Sequence, residues 1–205
     1  MLDSTKFLFL TEYHVFNIAL STLIMIEFFI MIYTMRGNKT GGRKRKSDNG
    51  SIFLVMISFY GSIFLSVLFR GKGMPERISG LLLPHFFCIV GIVLIFLGII
   101  LRCSAVWTLK RAFTLNVQTT DEQHLIKTGL YKIVRNPAYT GSILSLIGVA
   151  LAYRNVISLI GVIILCFVGY GIRIKTEEKA LREQFTNEFD NYCKITKYRL
   201  IPYIY

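Results

Sequence analysis

The stretch AYTGSILSLIGVALAYRNVISLIGVIILCFVGYGI, Ala138 to Ile172, decides the fold. It is apolar for much longer than the roughly 20 residues that one helix needs to cross a hydrocarbon core. It is broken once, by Tyr153, Arg154 and Asn155. That break predicts a helical hairpin with arms 138–153 and 156–172. At 16 and 17 residues the arms are slightly short, so they end in the headgroup layer or beneath a cover of protein.

Working outward, three further apolar runs meet the length of a crossing: Phe16 to Met35, Ser51 to Phe69 and Leu81 to Leu101. The first is read as a true span, because MLDSTKFLFLTEYH before it lacks the basic start of a signal peptide and no small-residue cleavage site follows. The expectation is an all-α, polytopic membrane protein in one domain over 1–205. It has about five transmembrane helices (16–35, 51–69, 81–101, 138–153, 156–172), the last two forming the hairpin. Two cytoplasmic elements, 102–137 and 173–205, accompany them, the second including a C-terminal helix.

Composition agrees. A chain of 205 residues with 53% hydrophobic content, 18% charge and mean hydropathy +0.52 is too apolar for an ordinary soluble domain. The net charge of +12 lies in blocks between apolar runs, which fits anionic lipid headgroups as partners and not nucleic acid. No protein partner is evident. Cys88, Cys103, Cys166 and Cys193 are widely spaced and show neither zinc spacing nor a disulfide framework, so no metal is expected.

Nineteen Lys and Arg residues fall in 36–50, 102–137 and 173–205, against five on the other side of the spans. The excess places those segments in the cytoplasm, with the N-terminus outside and the C-terminus inside. Gly37 to Gly50 reads as a flexible linker without a fold. Glu27, deep in the first span, needs a polar partner: it is protonated, hydrogen-bonded to a Ser or Thr of a neighbouring helix, or functional.

Between the third span and the hairpin, RCSAVWTLKRAFTLNV has the mixed pattern of an interfacial amphipathic helix. After it, Gln123, His124, Tyr131, Arg135, Asn136 and Tyr139 crowd into 17 residues. Asn136-Pro137 has the residue types of a helix start, Asn as N-cap and Pro at the first helical position. Past the hairpin, Arg173 and Glu177 share a helix face, which alone signals only a surface pair. The hairpin changes that, because both its ends return to one side and bring Asn136 to Tyr139 near Arg173 to Glu178.

The order QHLIKTGLY, RNPAY, a hairpin, RIKTEE, EQFTNEFDNY and RLIP resembles the isoprenylcysteine carboxyl methyltransferase family of integral membrane methyltransferases. The likeness covers about the last 85 residues in motif detail. The family's usual form has His at Asn136, and the Asn-Pro-x-Tyr form resembles the phospholipid N-methyltransferases. The resemblance implies S-adenosylmethionine at the cytoplasmic membrane face and methyl transfer to a lipophilic acceptor, foremost the carboxylate of an isoprenylated cysteine. Carried over by position, the cofactor contacts are Gln123, His124, Leu125, Ile126, Tyr131, Asn136, Pro137, Ala138, Tyr139 and Glu177. Arg173 faces the acceptor, and Arg173 and Glu177 form the catalytic pair.

Elementary chemistry fits those roles. A helix start suits a carboxylate, tyrosine faces suit a sulfonium, and an Arg can hold a carboxylate with two bonds. A carboxylate acceptor needs no general base; a phenol or an ammonium would, and His124 is the candidate. The competing readings are a phospholipid amine N-methyltransferase, a membrane sterol reductase, and a non-catalytic lipid-binding protein. A soluble nucleotide-binding fold is excluded, since neither TGGRK nor RGKG opens a strand–turn–helix unit.

Overall fold

The computed structural model describes residues 10–40, 50–69, 81–116 and 125–203. Five helices build it: α1 (Leu10–Thr40), α2 (Ser51–Leu68), α3 (Phe86–Asn116), α4 (Pro137–Ala152) and α5 (Val156–Ile195), with a 3-10 turn at Gly129–Lys132 before α4. No strand occurs among the described residues. The four helices α1, α2, α3 and α5 are long and apolar enough to cross a membrane, and α4 is a shorter apolar helix. The chain is an all-α, multi-pass membrane protein.

The hairpin forms where the sequence breaks. Arg154 takes a positive φ of 58°, and Asn155 caps α5, its Oδ1 accepting from the amides of Ile157 at 2.9 Å and Ser158 at 3.0 Å. The tip is tied to the segment entering α3: the Leu83 amide donates to Arg154 O at 2.7 Å, and Arg154 Nε donates to Leu83 O at 2.8 Å. This is why the apolar run beginning at Leu81 does not start as helix. Pro84 disfavours helical backbone at Leu83, and Leu81 and Leu82 pair with the hairpin tip instead.

Three expected boundaries differ from the structure. Helix α1 continues through Thr40, so Gly37 to Thr40 of the supposed linker are helical, and residues 41–49 lie outside the described residues. Helix α3 does not end at Leu101 but runs unbroken through Asn116, so RCSAVWTLKRAFTLN continues the third helix and is not a separate interfacial one. Helix α5 likewise runs past Ile172 to Ile195, interrupted only at Thr186 (φ 33°, ψ −106°).

The tightest pairing is α3 against α4, and glycine makes it possible. Gly91 and Gly98 of α3 face Gly148 and Gly141 of α4, two turns apart on each helix. A Cβ on Gly141 would stand 2.6 Å from Arg102 N and 2.7 Å from Gly98 O; one on Gly148 would stand 2.6 Å from Gly91 O. Between lipid-embedded helices there is no hydrophobic drive to associate, so close backbone approach and buried polar contacts supply the attraction. Ser145 Oγ reaches Ile95 O at 3.3 Å within this seam. The second strong pairing, α2 on α5, uses small residues too: Ser58 stands against Gly169 and donates to Leu165 O at 3.1 Å. Helix α1 packs less closely, held at its start by Phe16 edge-on to Tyr153, ring centroids 5.0 Å apart.

Candidate active site

The start of α4 is only partly what its sequence indicates. Pro137 does occupy the first helical turn, but Asn136 does not cap it: its φ of −128° and ψ of 55° leave its side chain without a cap bond. Its Nδ2 is buried with no hydrogen-bond partner among the described residues. An orphaned amide donor inside a protein is costly and rare. The Asn136 backbone, by contrast, is fully used. Its amide donates to Arg199 O at 2.9 Å, and its carbonyl accepts from the amides of Tyr139 and Thr140.

That turn is strapped to the C-terminal segment. Arg135 donates through Nη1 to Thr196 O and Lys197 O, both at 2.7 Å, and through Nε to Glu178 at 2.8 Å. Arg199 Nε reaches the other Glu178 oxygen at 3.0 Å, and Thr140 Oγ1 donates to Leu200 O at 2.8 Å. Tyr192 Oη donates to Tyr131 O at 2.6 Å. The RNPAY and RLIP pieces are thus one unit, and Arg135 and Glu178 serve as its pins. Burial pushes the Tyr131 phenol above its ordinary range, opposed by Arg102 and reinforced by Glu177, so its hydroxyl stays protonated.

Arg173 and Glu177 are more than a surface pair. Arg173 is buried, and its guanidinium donates to Tyr139 Oη at 3.0 Å, Ser51 Oγ at 2.6 Å and Glu177 Oε1. Three helices thereby converge on one cation. The Glu177 side chain is 29% exposed, against 8% for Arg173, so the carboxylate faces outward and the guanidinium inward.

Inward lies a cavity of about 120 Å³. Its polar lining is Arg173, Tyr139, Tyr170, Tyr60, Arg102 and Glu27, and its apolar lining comes from Ile30 and Met31 of α1 and Ile52, Val55, Met56 and Phe59 of α2. Glu27 has the partner its depth requires. Its Oε2 accepts from Arg102 Nη2 at 2.9 Å and its Oε1 from Ser142 Oγ at 2.7 Å, and Arg102 Nε stands 2.8 Å from Oε1. The Arg102 guanidinium also lies 5.9 Å from the centre of the Tyr139 ring. Sequence reasoning missed Arg102, Ser51, Ser142 and Tyr170. The signal for Arg102 was present: a carboxylate inside one span and a cation closing another are each other's natural partners.

The Glu27→Gln variant is expected to lose roughly 2 to 3 kcal/mol of stability, because it leaves Arg102 charged in a buried place. Adding Arg102→Met should restore much of that loss. Thermal unfolding of the two single variants and the double variant in detergent measures the coupling.

Of the residues singled out from sequence, Tyr139, Arg173 and Glu177 are in direct contact, and Asn136 and Pro137 begin the same helix as Tyr139. Ala138 follows on that helix and is half-buried. Leu125 and Ile126 are half-buried in the irregular segment before the 3-10 turn, while Gln123 and His124 lie outside the described residues. The donor set suits a polar, zwitterionic cofactor: an unspent amide at Asn136, a half-open carboxylate at Glu177, and two tyrosines.

Comparison with known proteins places the chain in a family. The family profile described as phospholipid methyltransferase matches residues 86–188, from the start of α3 to beyond the site. A protein-S-isoprenylcysteine O-methyltransferase of Saccharomyces cerevisiae is 31% identical over 187 residues, covering 88% of this chain and 76% of its own. A probable protein-S-isoprenylcysteine O-methyltransferase of Oryza sativa subsp. indica is 28% identical over 164 residues, covering 71% and 86%. Protein-S-isoprenylcysteine O-methyltransferase B of Arabidopsis thaliana is 32% identical over 106 residues, covering 51% and 54%. With a profile match across the α3–α5 core and a relative aligned along most of both chains, the chain belongs to the isoprenylcysteine carboxyl methyltransferase family of integral membrane methyltransferases.

Proposed function

We propose that this protein transfers a methyl group from S-adenosylmethionine to the carboxylate of an isoprenylated cysteine, with the basic loops and the site at the cytoplasmic face. The observation that carries the reading is the cavity, whose lining is in part polar, with Arg173 and Tyr139, and in part apolar, with Ile52, Val55, Met56 and Phe59. A substrate with a carboxylate head and a hydrocarbon tail matches both parts. The names of the yeast and rice relatives support the same acceptor.

When bound, S-adenosylmethionine supplies a methyl already activated by a positive sulfur, so the protein's task is alignment and exclusion of water. In this reading Asn136 donates its unspent amide to the cofactor, and Tyr131 and Tyr139 flank it. Glu177 accepts a hydrogen bond from it. Arg173 orients the acceptor: an arriving carboxylate exchanges with Glu177 at the guanidinium, which frees Glu177 for the cofactor. The acceptor carboxylate, held at Arg173, would be the nucleophile for the activated methyl that the cofactor would supply. No proton moves, so no base is required.

The Asn136→Ala variant tests the cofactor half. Because the side chain caps nothing, thermal stability should stay within about 0.5 kcal/mol of the parent or improve slightly. Affinity for S-adenosylmethionine by calorimetry should fall by roughly 0.5 to 1.5 kcal/mol, the worth of one neutral hydrogen bond. Unchanged affinity would remove Asn136 from the site.

A further inference from the structure

At the end of the bundle away from the Arg173 site, where the hairpin tip meets the segment entering α3, three ligand-bearing side chains converge. Glu12 comes from the first turn of α1, His85 immediately precedes α3 and Cys88 lies in its first turn. Their ligand atoms all lie within 4.8 Å of one another, and His85 Nε2 stands 2.8 Å from Glu12 Oε2. Cys88 is fully buried, while Glu12 and His85 keep side-chain exposures of 17% and 22%.

We propose that Glu12, His85 and Cys88 form a zinc site that staples α1 to α3. Bond lengths of about 2.0 to 2.3 Å place the donors of a tetrahedral zinc roughly 3.3 to 3.6 Å apart, so the Glu12–His85 contact of 2.8 Å must open slightly and any separation near the 4.8 Å limit must close by about 1 Å, within reach of side-chain rotation. Carboxylate, imidazole and thiolate together form a set that zinc accepts well, with a water completing four. Charge balance also fits the apolar surroundings: a divalent ion with one carboxylate and one thiolate is neutral overall. His85 and Cys88, three apart at a helix start, present their ligands on one face, and the hydrogen bond from the Cys88 amide to His85 O at 2.8 Å fixes that register. Neighbouring Arg154 has its Nε engaged with Leu83 O.

The site has structural work to do. Helix α1 packs on its neighbours less closely than the other helices do, yet it carries Glu27, which holds Arg102 at the cavity. A metal tie near its start fixes the helix that closes one cavity wall. The grouping could not be read from sequence, because Glu12 and His85 stand 73 residues apart.

The test uses the purified full-length protein in detergent, stripped with a chelator and titrated with Co²⁺ as a coloured probe, then with Zn²⁺ in competition. One equivalent of cobalt with a thiolate-to-metal charge-transfer band is expected, displaced by zinc, with the thermal midpoint rising on metal addition. Cys88→Ser should abolish the band, and His85→Ala should weaken binding at least tenfold. Cys166→Ser, which alters another buried cysteine, should behave as the parent. No stoichiometric cobalt in the parent, or an unchanged band in Cys88→Ser, would overturn the proposal.

Discussion

Replacing Arg173 by Ala is expected to lower methyl transfer by about 10²- to 10⁴-fold while leaving affinity for S-adenosylmethionine within a few-fold. A bidentate contact to a carboxylate comprises two charge-assisted bonds, each worth about 1.5 to 3 kcal/mol, and every 1.4 kcal/mol is tenfold in rate. The same change strips Tyr139, Ser51 and Glu177 of their shared partner, so a loss of stability of roughly 3 kcal/mol should accompany it. Arg173→Lys separates the two effects. It keeps the charge and most of the stability, but a single ammonium cannot span Tyr139, Ser51 and an acceptor together, so turnover should stay low. Initial rates, cofactor calorimetry and thermal midpoints on all three proteins check this. Equal losses of cofactor affinity and turnover in Arg173→Ala would contradict the role given to the guanidinium.

A second large effect is expected at a residue that has no side chain to take part in the chemistry. Gly141→Leu should prevent the bundle from forming, with no monodisperse protein recovered in detergent. The first atom added meets backbone at 2.6 and 2.7 Å, and backbone cannot rotate away as a side chain can. Relief requires α3 and α4 to separate, which opens the whole seam and carries Arg102 away from Glu27. Even Gly141→Ala should cost about 1 to 3 kcal/mol. Gly171→Leu is the matched control: nothing lies within 4 Å of a Cβ there, so size-exclusion profiles should resemble the parent. A monodisperse Gly141→Leu protein would contradict the close packing of these two helices.

The sequence disclosed what depends on neighbours along the chain. The hairpin was legible because Tyr153, Arg154 and Asn155 interrupt an apolar run, and Asn155 caps the second arm as its residue type indicates. The pairing of Arg173 with Glu177 was legible because residues four apart share a helix face. Topology extended the reading to Tyr139, since both ends of a hairpin return together.

Register between distant helices was not legible. Glu27 and Arg102 stand 75 residues apart, and which turn of α1 meets which turn of α3 is fixed by packing that no local pattern encodes. For the same reason the facing of Gly98 with Gly141 was invisible, although each glycine was in view. Helix α3 runs past Leu101 because Arg102 finds Glu27 within the bundle and need not mark a membrane boundary. Asn136 shows the opposite failure. Its residue type reads as a cap, yet the backbone bonds from RLIP hold the turn and leave the side chain for another use.

The most direct test of the central reading is to reconstitute the protein in bilayers with methyl-labelled S-adenosylmethionine. Three acceptors are offered: a farnesylated cysteine with a free carboxylate, the same compound as its amide, and phosphatidylethanolamine. Label should enter only the free carboxylate compound, as a base-labile ester, and Arg173→Ala should lower its rate of entry by the factor given above. Label appearing in the amide or in phosphatidylethanolamine, or no transfer to the carboxylate at all, would contradict the assignment.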